Sequence, residues 1–238
     1  MFTIDPHMAL PESKISAPAE DTSDDEACVL PADTMLILQQ FLQEKALKER
    51  SEEAGPESAG CFEENWQLSQ FWYNEETKQK LALIVKHLQE NNPSDSFQVA
   101  LLSAPSAFKH VVKENKKAML FEFDERFASY GENFQQYDYN RAFDAGYMDA
   151  YAQQFNLVIA DPPFLSEECI EKMGVIVKKI IKQEGKIVLC SGAVVHDWAK
   201  KHFGVSMCEF RPEHERNLGN EFRSYANFDL DSILNKEQ

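Results

Sequence analysis

The stretch FNLVIADPPF, residues 155–164, sets five apolar residues and one Asn directly before an Asp and two prolines. A short, near-continuous apolar run reads as a strand buried on both faces, the pattern of a parallel sheet covered by helices. In such open sheets, ligands sit beyond the carboxyl ends of the strands, and Asp161-Pro162-Pro163-Phe164 falls at that place. Two successive prolines stiffen the loop and remove two backbone donors, which leaves carbonyls free to accept. A fixed Asp161 carboxylate and the Pro162 carbonyl can together hold an NH₂ group. Phe164 can stack on a planar group or line a channel around an aliphatic amine. The alternative is a proline-rich turn that merely ends a strand.

The flanking signals alternate. A helix is predicted over 75–90 through Leu81, Ile84, Val85 and Leu88, a strand over Phe97–Leu102, a helix over Pro105–Asn115 and a strand over Ala118–Phe123. Phe134–Tyr137 reads as a third strand and Phe155–Ala160 as a fourth. A helix over Ser166–Lys182 follows, with Ser166 as its N-cap, then a strand over Lys186–Cys190 and a helix over Ala193–Phe203 ended by Gly204. Val205–Phe210 and Phe222–Phe228 are the last two strands; no helix separates them, so one of them should run antiparallel. The predicted fold is α/β, a mostly parallel seven-stranded sheet with one antiparallel strand.

The chain of 238 residues carries 40 acidic against 24 basic residues, a net charge of −16. Residues 1–60 hold thirteen acidic and four basic residues, just over half of that charge. Residues 1–32 read as a disordered acidic tail, in which the first seven resemble an expression tag before Met8. Residues 33–60 read as a helix and linker, and 61–238 as the folded domain. Such acidity disfavours gripping a phosphate backbone, and no basic run after Phe164 exceeds Lys178-Lys179 or Lys200-Lys201. A nucleic-acid partner is therefore not expected, and a basic protein suits the charge better. The nine glycines form neither a G-x-G-x-x-G nor a Walker A loop. Five cysteines without C-x-x-C spacing point to reduced thiols and a cytoplasmic location, and six scattered histidines give no reason to expect a metal. No apolar run is long enough for a membrane span, and the N-terminus lacks signal-peptide character. A monomer is expected.

Six blocks carry a family resemblance: EENWQLSQFWY (63–73), LLSAPSAF (101–108), FEFDERFASYG (121–131), YDYN (137–140), VIADPPFLSEEC (158–169) and ERNLGNEFRSYANF (215–228). In this order they resemble the eukaryotic elongation factor 1-alpha lysine methyltransferase family, formerly described as N6-adenine DNA methyltransferase-like for the same D-P-P-[FY]. The resemblance spans about residues 61–230. It implies a Rossmann-like methyltransferase sheet, S-adenosylmethionine as cofactor and a lysine of translation elongation factor 1-alpha as substrate. An adenine-N6 methyltransferase on DNA or RNA is the alternative that D-P-P-F permits chemically.

On this resemblance Asp161, Pro162 and Phe164 are the catalytic residues. Asp161 also touches the cofactor, whose methionine part would lie on the loop Ser103-Ala104-Pro105, built of small residues where relatives use glycine. Glu122 would hold the ribose, with Asp124 as rival or supporter, since strand alternation puts both on one side. Asp138 would meet the adenine amine. Trp66, Phe71 and Trp72 either form a lid over the site or pack in an N-terminal helix against the sheet. Asn217, Asn220 and Arg223 either line the substrate mouth or belong to a turn.

Overall fold

The computed structural model describes residues 62–92, 96–216 and 219–236. The tail, helix and linker expected over 1–60 lie outside the described residues. The chain divides into a unit ending at Ser58 and a second unit, Ala59–Gln238, which holds every element described below.

Seven strands form one sheet: β1 (Val99–Leu102), β2 (Met119–Glu122), β3 (Phe134–Gln136), β4 (Phe155–Ala160), β5 (Ile181–Gly192), β6 (Ser206–Met207) and β7 (Phe222–Ala226). Their order is β3-β2-β1-β4-β5-β7-β6. The first five pair in parallel, while β7 runs antiparallel to both β5 and β6. This is the Rossmann-like sheet expected from the sequence. The strand order reverses at β1, so a crevice opens between the carboxyl ends of β1 and β4. There the Asp161 backbone N–H donates to the Leu102 carbonyl at 3.0 Å, which stitches the D-P-P loop to the end of β1.

Helices cover both faces, and strand alternation decides which residues meet which helix. Ala100, Leu102, Val158 and Ala160 face α3 (Glu167–Ile180) and α4 (His196–Phe203). Val99, Leu101, Leu157 and Ile159 face α1 (Glu75–Glu90) and α2 (Pro105–Glu114). All eight strand residues are fully buried, the burial that the apolar run of residues 155–160 demanded. Local signals fix the helix starts. Asn74 caps α1 by accepting from the Thr77 N–H, Pro105 opens α2, and Ser166 caps α3 by accepting from the Cys169 N–H. Gly204 ends α4 at φ +71°, a left-handed position that favours glycine.

Five elements depart from expectation. Helix α3 stops at Ile180, and β5 starts at Ile181, with a register irregularity before Lys186. Strand β6 is only Ser206–Met207, because the backbone N–H groups of Glu209 and Phe210 turn away to the Asp231 carboxylate. Asp231 opens a further helix, α5 (Asp231–Asn235). Residues Glu125–Asn133 form 3₁₀ turns broken by Gly131 at φ +60°.

Candidate active site

The N-terminal arm, residues 62–74, is not the packed helix that one reading of its aromatics suggested. It contains one 3₁₀ turn, Trp66–Leu68, followed by Ser69 at φ +53°. Its far end is fixed by a bridge between Tyr73 and His214 and by backbone bonds of Asn74 to Glu213 and of Glu215 to Trp72. The arm thereby overhangs the carboxyl ends of β1, β2 and β4.

Two clefts meet under it. Gln67–Trp72 roof the first; its other walls are Ser103, Pro105 and Ser106, Glu122 and Phe123, Tyr137–Asn140, and Asp161 with Pro163 and Phe164. The second lies beyond Asp161, between Pro162, Leu165, His214, Asn220 and Phe222. Ser69, Phe71, Asp161 and Pro163 line both clefts. The Asp161 carboxylate therefore stands at a passage between two openings.

Glu122 reaches the first cleft while only 5% exposed. Burial drives its carboxyl up to about 7, against the bonds it accepts from the Asp124 backbone and the Gln70 amide. Asp161 is pushed up to about 7 as well, by burial first and by the charge of Glu122, while a hydrogen bond from Tyr73 opposes the shift. Asp124 behaves differently. Burial would raise it, but its bonds with Arg126, the Arg126 backbone and Gln70 prevail and hold it below the ordinary value. Its carboxylate sits 2.7 Å from the Arg126 guanidinium and does not line the first cleft. Gln70 ties the pair together, donating to Glu122 at 3.3 Å and to Asp124 at 3.2 Å, and accepting from Arg126 at 3.0 Å.

The structure brings most of the expected residues to the clefts. Ser103, at φ +52°, and Pro105 line the first one, whereas Ala104 is buried behind them. Asp138 lines it with one oxygen committed to the Asn140 N–H at 2.9 Å. Phe164 is 47% exposed there, its ring 6.4 Å from that of Tyr139. Trp72 forms part of the roof, but its indole N–H donates to the Phe62 carbonyl at 2.8 Å and its ring packs edge-on against Phe127, which fits anchoring. Asn220 lines the second cleft. Arg223 reaches neither, since its side chain is tied to Glu221 at 2.5 Å. The side chain of Trp66 and all of Asn217 lie outside the described residues.

Sequence reasoning missed Gln70, Tyr73, Phe123 and His214. Phe123 left a trace, as an aromatic between two strand-end carboxylates; it is 53% exposed inside the cleft. Gln70 and Tyr73 gain their roles from partners more than fifty positions away, which no local pattern reveals.

The first cleft suits an adenosyl sulfonium. It offers a carboxylate for a hydroxyl pair, an exposed aromatic face, a strand-to-helix turn of small residues and two acidic groups for a cation. The fully buried Tyr137 hydroxyl at its wall has no hydrogen-bond partner among the described residues.

Comparison with known proteins adds independent findings. The model of a family described as "Probable N6-adenine methyltransferase" matches residues 64–230. A protein-lysine N-methyltransferase of Drosophila melanogaster is 45% identical over 221 residues, covering 88% of this chain and 98% of its own. EEF1A lysine methyltransferase 1 of Homo sapiens is 44% identical over 214 residues, covering 88% of this chain and 96% of its own. Among solved structures, a putative RNA methyltransferase from Pyrococcus horikoshii is 13% identical, covers 70% of this chain and 91% of its own, and has a TM-score of 0.47.

Proposed function

The chain belongs to the probable N6-adenine methyltransferase family, and on that premise we propose that it is a protein-lysine N-methyltransferase acting on translation elongation factor 1-alpha with S-adenosylmethionine. The observation that carries this reading is the Asp161 carboxylate placed where two clefts meet. A cofactor and a lysine side chain can then approach it from different sides. Curated relatives named as protein-lysine methyltransferases and as EEF1A lysine methyltransferase 1 support the substrate class.

Glu122 would hold the ribose hydroxyls, Phe123 and Asp138 the adenine, and the Ser103–Pro105 turn the methionine part. When bound, S-adenosylmethionine supplies an electrophilic methyl on a sulfonium. The protein's task is to present a neutral amine in line with it, a matter of proximity and orientation. The Asp161 carboxylate accepts one N–H and the Pro162 carbonyl the other, which aims the nitrogen lone pair into the first cleft. Neutralising a lysine at pH 7 costs roughly 4–5 kcal/mol from its reference pKa. Phe71, His214 and Phe222 give the second cleft an aromatic, dehydrating wall that lowers this cost. Asp161 alone would raise it. Its role is therefore to orient the amine, with the proton passing to water before transfer.

The test is transfer from labelled S-adenosylmethionine in a cytosolic lysate, with and without nuclease. A nuclease-resistant labelled protein of the size of the elongation factor supports the reading. Label confined to nucleic acid overturns it in favour of adenine methylation, and no transfer at all overturns it in favour of a binding module.

A further inference from the structure

Asp161 is held by one side chain. The Tyr73 hydroxyl donates to Asp161 Oδ2 at 2.5 Å, and Oδ1 has no hydrogen-bond partner among the described residues. Tyr73 is fully buried, its ring packed 4.9 Å from His214, which in turn meets Phe222 at 4.5 Å. Its backbone is fixed by the bridge to His214. The phenol thus comes from the arm on a rigid mount, and its O–H meets the Asp161 carboxylate with the buried Cys190 thiol beside it.

We propose that Tyr73 is the positioning residue of this site: by occupying Oδ2 it fixes the Asp161 carboxylate so that Oδ1 alone receives the substrate amine. The inference rests on the reading of Asp161 given above and deepens it. A carboxylate free to rotate would present either oxygen and lose the angle between amine and methyl, to which transfer is sensitive. Tyr73 from the arm bonds Asp161, the charge of Glu122 from β2 acts on it, and the Cys190 thiol from β5 lies against the Tyr73 hydroxyl, while His214 stands behind Tyr73. Burial raises both Tyr73 and Cys190, so each stays protonated at working pH. Burial lowers His214 to about 4, so it stays neutral. Glu122 opposes ionisation of Asp161, and Tyr73 is the donor that favours it. Removing the phenol O–H should therefore misalign the carboxylate and make it harder to ionise.

Tyr73→Phe tests this with Asp161→Ala in parallel. Tyr73→Phe is expected to lower kcat about 10–100-fold, the range for losing a hydrogen bond to a charged group. The acidic limb of its kcat/KM profile should move to higher pH, while calorimetric affinity for S-adenosylmethionine stays within about twofold. A purely structural role would lower the melting temperature and the rate but leave the acidic limb in place, and that result overturns the proposal. If Asp161→Ala is inactive while Tyr73→Phe matches wild type, only this proposal falls. Full turnover in Asp161→Ala removes the parent reading as well. A measurement on the unaltered phenol guards against a variant that does not fold: the Tyr73 hydroxyl proton should give a slowly exchanging resonance that Asp161→Ala abolishes. Absence of that resonance in the folded wild type contradicts the proposal.

Discussion

Replacing Glu122 by Gln should make the ligand-free protein more stable at pH 8 while weakening its hold on the cofactor. Burial pushes the Glu122 carboxyl up to about 7, against a reference near 4.3 in an unfolded chain. Between those values the native state keeps a proton that the unfolded state has released, so stability falls as pH rises from about 4 to about 7 and levels off above that. Each tenfold step is worth about 1.4 kcal/mol and the gap is nearly three steps, so ionised Glu122 weakens the fold at pH 8 by about 4 kcal/mol. Gln keeps an oxygen to accept from the Gln70 amide and the Asp124 N–H, the two donors on Glu122 Oε1. Allowing for imperfect placement of its NH₂ group, a net gain of about 1–3 kcal/mol is expected, or about 3–8 °C in melting temperature. At pH 4, below the unfolded reference, both states largely keep the Glu122 proton and the stability advantage of the variant should be gone. Thermal unfolding of both from pH 4 to 8 isolates the contribution of Glu122 together with its coupling to Asp161, because titrating groups that do not interact with Glu122 cancel in the difference. In the same variant, affinity for S-adenosylmethionine should drop about 10–100-fold, as an acceptor for the ribose is lost. A melting difference that does not change with pH, or a variant less stable than wild type at pH 8, refutes the reasoning.

Three further outcomes are expected. Asp161→Ala should abolish transfer yet bind S-adenosylmethionine within a few-fold of wild type by calorimetry, since Glu122 and Phe123 remain. His214, lowered to about 4 chiefly by burial, is neutral in the fold but protonates near 6.5 when unfolded, so stability is lost as pH falls from 6.5 toward 4. With its exposed edge discounted, the loss is about 2 kcal/mol or less, and His214→Gln should flatten it in acid-unfolding curves. Gly174→Ala would place a Cβ 2.8 Å from the His202 carbonyl oxygen, forcing α3 away from α4. Denaturant titration should show a loss of about 1–3 kcal/mol.

Much of the fold was legible because the strands are buried on both faces and so read as apolar runs. The capping residues Ser166 and Gly204 have local chemistry that does not depend on the rest of the molecule. The D-P-P-F loop was legible for the same reason: a strand stop, two stiff prolines and an aromatic need no distant partner to be recognised. Distant partners decided much of what was missed. Nothing in EENWQLSQFWY distinguishes Gln70 and Tyr73 from their neighbours until the arm meets β2 and β4. Arg223 looked free for a substrate mouth, but β7 pairs it opposite Ser191, and Glu221 takes its guanidinium. Ala104 follows the end of β1 and is buried beneath the turn it helps to form. The turns over 125–133 stay short because Gly131 at φ +60° interrupts them. Of the two strand-end carboxylates, Arg126 draws Asp124 away and leaves Glu122 to the cleft, a division that two acidic residues on one side of a strand could not announce.

The central claim is that Asp161 presents a lysine amine to the methyl donor. Its most direct measurement is peptide mass spectrometry of purified elongation factor 1-alpha after incubation with S-adenosylmethionine and either the wild-type protein or Asp161→Ala. Methyl groups on a defined lysine with the wild type, and none with the variant, are the expected result. An unmodified elongation factor with wild type, or equal methylation by both proteins, would contradict the account.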